Sequence, residues 1–498
     1  MNVNPITRLD YPDPDVIRVE DTYYMVSTTM HFMPGCEILQ SFDLVNWEHV
    51  TYVYETLDHT DAQQLKSGQN IYGQGMWAAS LRYHEGRFYI CFVANDTRKT
   101  YLYTSEKIDG PWKKQLIEGF YHDGSLLFDE DGRNYIVYGN DEIWITELNE
   151  DLTAPKKDGL HRLLVSDHKN PELGYEGSHI QKINGYYYIF LIHSLRDRWM
   201  RTEACFYSDS LEGEFTGGDV LCDDRGYCGQ GVAQGGIVDT PDGKWYAMLF
   251  QDSGAVGRIP ILLPVTWKDH FPVFGQNGHV PEEIEVHSTR PGYIYQPLVG
   301  SDDFCNGLLP RWQFNHDPDP RYYHLDALQG TYTITTREVC TELTQAVNTL
   351  TQRMSYPSCA AEVTVDASAL KEGDVAGLCA LQGCYAAVGI TKHHGKYEVL
   401  MLDKKEDGIL DMTEGTVVES HQMDFRLEAD FCNMKDEARC YYRVNKGDWL
   451  PIGTVHKLYF KLDHFTGCRF GLFCYAAEET GGSACFRDFK YYDVDEIS

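Results

Sequence analysis

Three carboxylic acids open the chemical question. Asp13 lies in Tyr11-Pro-Asp-Pro-Asp15, Asp123 in His122-Asp-Gly-Ser125 and Glu176 in Tyr175-Glu-Gly-Ser-His179. Prolines on both sides stiffen the backbone that carries Asp13. Small residues after Asp123 and Glu176 leave room for a ligand. Two carboxyl groups flanking a glycosidic bond suffice to break it: one protonates the leaving oxygen, the other activates water. A third carboxylate beside the acid raises its proton affinity by like-charge repulsion and keeps it protonated near neutral pH.

Spacing brings these acids together. A turn residue followed three positions later by Tyr recurs at Asp21–Tyr24, Gly86–Tyr89, Gly132–Tyr135, Gly185–Tyr188 and Gly243–Tyr246. Each Tyr opens an apolar run such as Tyr135-Ile-Val-Tyr or Tyr188-Ile-Phe-Leu, and turns such as Asn184-Gly185 and Pro241-Asp-Gly243 are hairpin signals. The Tyr-to-Tyr intervals of 65, 46, 53 and 58 residues suit propeller blades, and five units predict a five-bladed β-propeller. Trp77, Asp123, Glu176 and Gln234 each stand twelve residues before their repeat's Tyr, and Asp13 stands eleven before. The first strand of every blade lines the central axis, so equivalent positions converge on one cavity. Two Asp, one Glu, one Gln and one Trp are thereby assigned to a single axial pocket. Carboxylates gathered in one pocket are costly unless they do chemistry, and Trp77 offers a flat apolar face to a sugar ring.

Taken singly, each residue has an ordinary reading. Asp13 and Asp123 serve equally well as turn residues, Trp77 as core and Glu176 as an exposed loop acid. The common register is what sets them apart.

After the propeller, prolines and glycines cluster at Pro281, Pro291, Gly292, Pro297 and Gly300. From about residue 301 the texture becomes alternating strands, among them Ala361–Asp366, Lys457–Leu462 and Arg469–Tyr475, which predicts a β-sandwich. The domains read as 1–296 and 301–498 of an all-β chain.

The net charge of −32 over 498 residues disfavours nucleic acid and anionic membranes and suits a neutral substrate, although solubility alone accounts for it equally. The 15 Cys form no zinc-ligand spacing and read as reduced, buried thiols in a reducing compartment. The N-terminus lacks a signal-peptide pattern and no apolar run approaches membrane-spanning length, so the expected location is the cytoplasm.

At these residues the chain strongly resembles glycoside hydrolase family 43. The stretches that carry the resemblance are Tyr11–Arg18, Met33-Pro-Gly35 with Ser41–Trp47, Met76–Arg82, Asp123–Ser125, Glu176–His179 and Gly257–Pro260, followed by Ser301–Phe304 and Trp312–His316. The resemblance implies a propeller followed by a concanavalin-like β-sandwich. It also implies an inverting, exo-acting enzyme that releases terminal xylose or arabinose from hemicellulose-derived oligosaccharides. Asp13 matches the family's general base, Asp123 the residue that tunes and orients the acid, and Glu176 the general acid. Arg258 matches an arginine reaching the site from the last blade, and Phe32 and Trp77 match pocket aromatics. One departure stands out. Where many relatives place a calcium-binding His on the fifth blade, this chain has Gln234, a substrate-facing residue in this reading; its amide oxygen is a weak calcium ligand, so a structural calcium on the axis stays open while no metal is expected to be required.

Three alternatives remain beside this one. A retaining fructosidase shares the architecture but carries an Asn-Asp-Pro-like nucleophile motif, whereas Pro12 precedes Asp13 here. A non-catalytic sugar-binding propeller would have lost acids that are all present. An endo-acting arabinanase of the same family would have an open cleft, which the long C-terminal sandwich disfavours.

Overall fold

The computed structural model describes residues 2–413 and 415–493. Five four-stranded antiparallel sheets form a propeller. Blade I comprises Asp15–Val19, Thr22–Ser27, Gly35–Ser41 and Glu48–Tyr54. Blades II and III begin with the inner strands Met76–His84 and Ser125–Phe128, and blades IV and V with Glu176–Ile183 and Val232–Asp239. Each repeat Tyr sits on the second strand of its blade, as the spacing predicts. Gly86, Gly132, Gly185 and Gly243 all take positive φ, 77 to 85°. These are the hairpin turns that join first to second strand, where a side chain would strain the backbone. The propeller closes without sharing a blade between the two ends of the chain. Instead, Asn2–Val3 pairs with Glu283–Ile284 outside the blades.

The C-terminal half is a β-sandwich of the concanavalin type. One sheet has seven strands and the other nine. The ninth belongs to the propeller: Phe32–Met33, from the loop between the second and third strands of blade I, pairs with Phe314–Asn315. Main-chain pairing therefore ties the two domains together. Buried side chains add to it. Arg353 meets Glu37 at 2.8 Å and lies over the Tyr11 ring, and Asp10 accepts from the backbone N–H groups of Arg258 and Gly467. A Cβ on Gly467 would fall 2.2 Å from the Val256 carbonyl oxygen, so the close approach there requires glycine.

Two details differ from expectation. Lys457–Leu462 was expected as a strand by its alternation, but the strand is Leu450–Lys457 and the following residues form a loop. That loop turns toward the propeller, and Phe460 and Phe465 serve the site rather than a sheet. Four of the fifteen unpaired Cys (Cys222, Cys228, Cys305 and Cys432) are exposed rather than buried.

Candidate active site

All five register positions stand at the start of an inner strand, at the same end of the axis. Asp13 and Asp123 each lie two residues before their strand, both buried and both in the left-handed region, at φ 53° and 48°. Aspartate tolerates that conformation better than most residues. In blades II, IV and V the register with the second strand slips just after Trp77, just after Glu176 and around Gln234. A β-bulge bends the strand and re-aims a side chain, which turns these three residues toward the axis. Gln234 takes φ 62° and Gly177 φ 64°.

Asp13 is fixed by two donors. Arg258 Nη1 meets its Oδ1 at 2.9 Å and the Thr28 hydroxyl donates to its Oδ2 at 2.6 Å. Arg258 is buried, and its Nε and Nη2 have no acceptor among the described residues. Phe465 of the sandwich loop lies under this guanidinium at 4.2 Å and reaches the Trp77 ring at 5.6 Å. Trp77 is half-buried, and its indole N–H also lacks an acceptor among the described residues. Phe465 thus forms a wall of the pocket from another domain.

Asp123 accepts from the Gly177 N–H at 2.9 Å. Burial pushes its carboxyl up to about 6; the nearby His122 opposes the rise, while Glu176 and Asp13 add to it. Glu176 Oε2 accepts from Asn140 Nδ2 at 2.8 Å and lies 3.4 Å from His122 Nε2. That same nitrogen is 3.5 Å from Asp123 Oδ2. Burial works against a charge on His122, but Asp123 and Glu176 outweigh it and lift its pKa to about 9. An imidazolium bridging two carboxylates is the electrostatic centre of the site. The ligand-type atoms of His122, Asp123 and Glu176 lie within 4.8 Å of one another, the spacing of a cation cage. The Asp123 and Glu176 oxygens nearest His122 already accept from Gly177 and Asn140, which fits proton handling better than ion binding.

Gln234 packs beside Gly177, where a Cβ would come within 2.7 Å of its side chain, and its backbone N–H donates to the buried Glu203 at 2.7 Å. Burial holds the Glu203 carboxyl well above the usual range. Below the acids, Arg82 fills the axis. It donates to Asp15 at 2.8 Å, to the Ser125 hydroxyl and to the carbonyls of Leu126 and Ile180, while His179 also meets Asp15, at 3.1 Å. This hub does not fit a calcium ion: Asp15 Oδ2, the Ser125 hydroxyl and the Leu126 and Ile180 carbonyls already accept from a guanidinium, and His179 holds Asp15 Oδ1.

Phe32 corrects one expectation. Its ring is completely buried, under the Arg469 guanidinium at 3.5 Å and within the cluster that joins the domains. The sandwich has annexed that loop as a strand, so the ring has no face left for a sugar. His122, Asn140, Thr28 and Phe465 are site residues that neither the spacing nor the resemblance singled out. Only His122, adjacent to Asp123, carried a signal in the sequence.

Residues 3–272 match the family model described as glycosyl hydrolases family 43, and residues 301–492 match the β-xylosidase C-terminal concanavalin A-like domain. The chain belongs to glycoside hydrolase family 43. It is therefore a glycosidase. It is similar to a "Beta-xylosidase" of Formosa agariphila, 27% identical over 99% of this chain and 89% of the relative. A "Xylosidase/arabinosidase" of Butyrivibrio fibrisolvens is 23% identical over 99% of both chains. Among solved structures, a bifunctional GH43-CE protein of Bacteroides eggerthii superposes with a TM-score of 0.93 at 42% identity. It covers all of this chain, which spans 64% of that protein's length.

Proposed function

We propose that this family 43 enzyme is exo-acting and inverting and releases a terminal pentose, β-D-xylosyl or α-L-arabinofuranosyl, from short neutral oligosaccharides. The observation that carries the reading is a set of buried donors without acceptors among the described residues, the Trp77 indole N–H and the Arg258 Nε and Nη2, beside paired carboxyl groups. Buried donors left unmatched by protein call for an external acceptor, and sugar hydroxyls supply it. The Phe465 wall supports exo action, because it closes one side of the pocket against a continuing chain. Relatives named for xylosidase and arabinosidase activity favour the two pentoses.

In this reading Glu176 gives its proton to the glycosidic oxygen as the bond to the anomeric carbon breaks. Asp13, oriented by Arg258 and Thr28, takes a proton from the water that attacks the opposite face. Direct attack by water inverts the anomeric centre. Asp123 and His122 keep a proton within reach of Glu176 between turnovers. No step requires a metal, since Arg82 supplies the axial positive charge.

The test is hydrolysis of 4-nitrophenyl β-D-xylopyranoside and 4-nitrophenyl α-L-arabinofuranoside, with and without chelator, and product anomers followed by NMR. Activity on at least one glycoside, inversion and less than about a twofold change with chelator are expected. Retention of configuration would remove Asp13 from the base role, and loss of activity in chelator would overturn the metal-free axis.

A further inference from the structure

We propose that Trp199, on the loop joining the second and third strands of blade IV, is the platform for the second sugar of the substrate. This rests on the pentosidase reading above. Glu176 also belongs to blade IV. The acid must face the leaving oxygen, so the departing sugar lies toward the blade that presents the acid.

The sandwich leaves that side open. It touches blade I through Phe32–Met33 and Glu37, blade II through the Trp77–Phe465 contact, and blade V through Ala255, Gly257 and Arg258. Among the described residues, no hydrogen bond, ion pair or ring contact joins it to residues 118–221, which hold blades III and IV. The pocket therefore opens over His122, Asn140 and Glu176.

A continuous row of side chains leads from the pocket to Trp199. Arg258 lies 5.4 Å over the Phe250 ring, Arg201 lies 5.2 Å over the same ring, and Arg201 also lies 5.3 Å over the Trp199 ring. Arg201 is buried and held by Asp252 at 2.9 Å. It braces the indole from one side, while Trp199 remains 42% exposed. An indole braced by a guanidinium is pre-organised, so stacking a ligand on it costs little side-chain freedom. The other large exposed aromatics serve elsewhere. Tyr83 lies on the far half of an inner strand, and Tyr293 packs on Phe42. The class of ligand is a neutral sugar ring that presents its C–H face to the indole.

The test compares Trp199→Ala and Trp199→Phe with wild type on xylotriose, arabinotriose and the matching glycosyl fluorides, whose leaving group is too small to reach the indole, with thermal melts as a folding control. In Trp199→Ala the ratio of kcat/KM for the preferred trisaccharide to that for its glycosyl fluoride should fall about tenfold, mainly through KM, the size of one lost aromatic contact. Trp199→Phe should recover most of it. An unchanged ratio, or equal losses on both substrates, overturns the assignment. A wild-type enzyme inert toward both glycosyl fluorides and both trisaccharides would instead sink the pentosidase reading, and this proposal with it.

Discussion

Asp13 and Asp15 are separated by a single proline, yet they live in opposite surroundings. Asp15 sits in a hub where Arg82, His179 and the Leu81 N–H all donate to its carboxylate. Burial alone would raise its pKa, but these donors outweigh burial and hold it below the usual carboxylate range. One layer up, the cluster of Asp13, Asp123 and Glu176 is left with fewer protein donors, and Asp123 moves upward instead, to about 6. Both layers draw on the inner strands of the same blades. The lower layer satisfies its charges within the protein and holds the blades together. The upper layer leaves donors and acceptors for a ligand. Beyond the hub the axis opens at its far end into a cavity of about 420 Å³, lined by Arg18, Lys182 and Trp245 among others and remote from the acids.

The contrast can be broken most sharply at Glu176. Glu176→Ala should lower kcat for substrates with poor leaving groups by about 10³-fold, the scale of a lost general acid, while the urea unfolding midpoint hardly moves. A variant that keeps its rate would take Glu176 out of the acid role. Asp15→Asn should do the reverse. It leaves Arg82 buried without its carboxylate, at a cost of roughly 3–5 kcal/mol, which urea unfolding would read as a lower midpoint. Unchanged stability would show that the hub is not what binds the blades. Because donors depress the Asp15 pKa, its contribution is present above the ordinary carboxylate pKa and fades only as pH falls through its still lower folded value. The site, by contrast, titrates between about 6 and 9 through Asp123 and His122. His122→Asn removes the cation that opposes the rise at Asp123, so the acid limb of kcat/KM should move up by about one pH unit. A shift downward, or none, would mean that His122 does not face the carboxylates in solution.

The propeller was legible because its register is a repeat. A side chain twelve residues before each Tyr meets the same axis whatever its chemistry, so Trp77, Asp123, Glu176 and Gln234 could be gathered without knowing any contact. Phe465 was not legible. It comes from another domain, and nothing local in Phe460–Gly467 tells a pocket loop from a surface one. The alternation in Lys457–Leu462 was misread for a related reason, since its aromatics answer to the propeller and not to a neighbouring strand. Phe32 failed because a local motif cannot reveal that a distant sheet will claim its backbone. Asn140 gave no sign because its role depends on blades III and IV standing side by side.

That claimed backbone has an evolutionary consequence. The sandwich's nine-stranded sheet ends on Phe32–Met33 of the propeller. An exchange of the C-terminal domain between family members must therefore preserve a strand that lies far upstream of the exchanged segment, within blade I. A sandwich joined to a propeller that lacked this strand would be left with an unpaired edge.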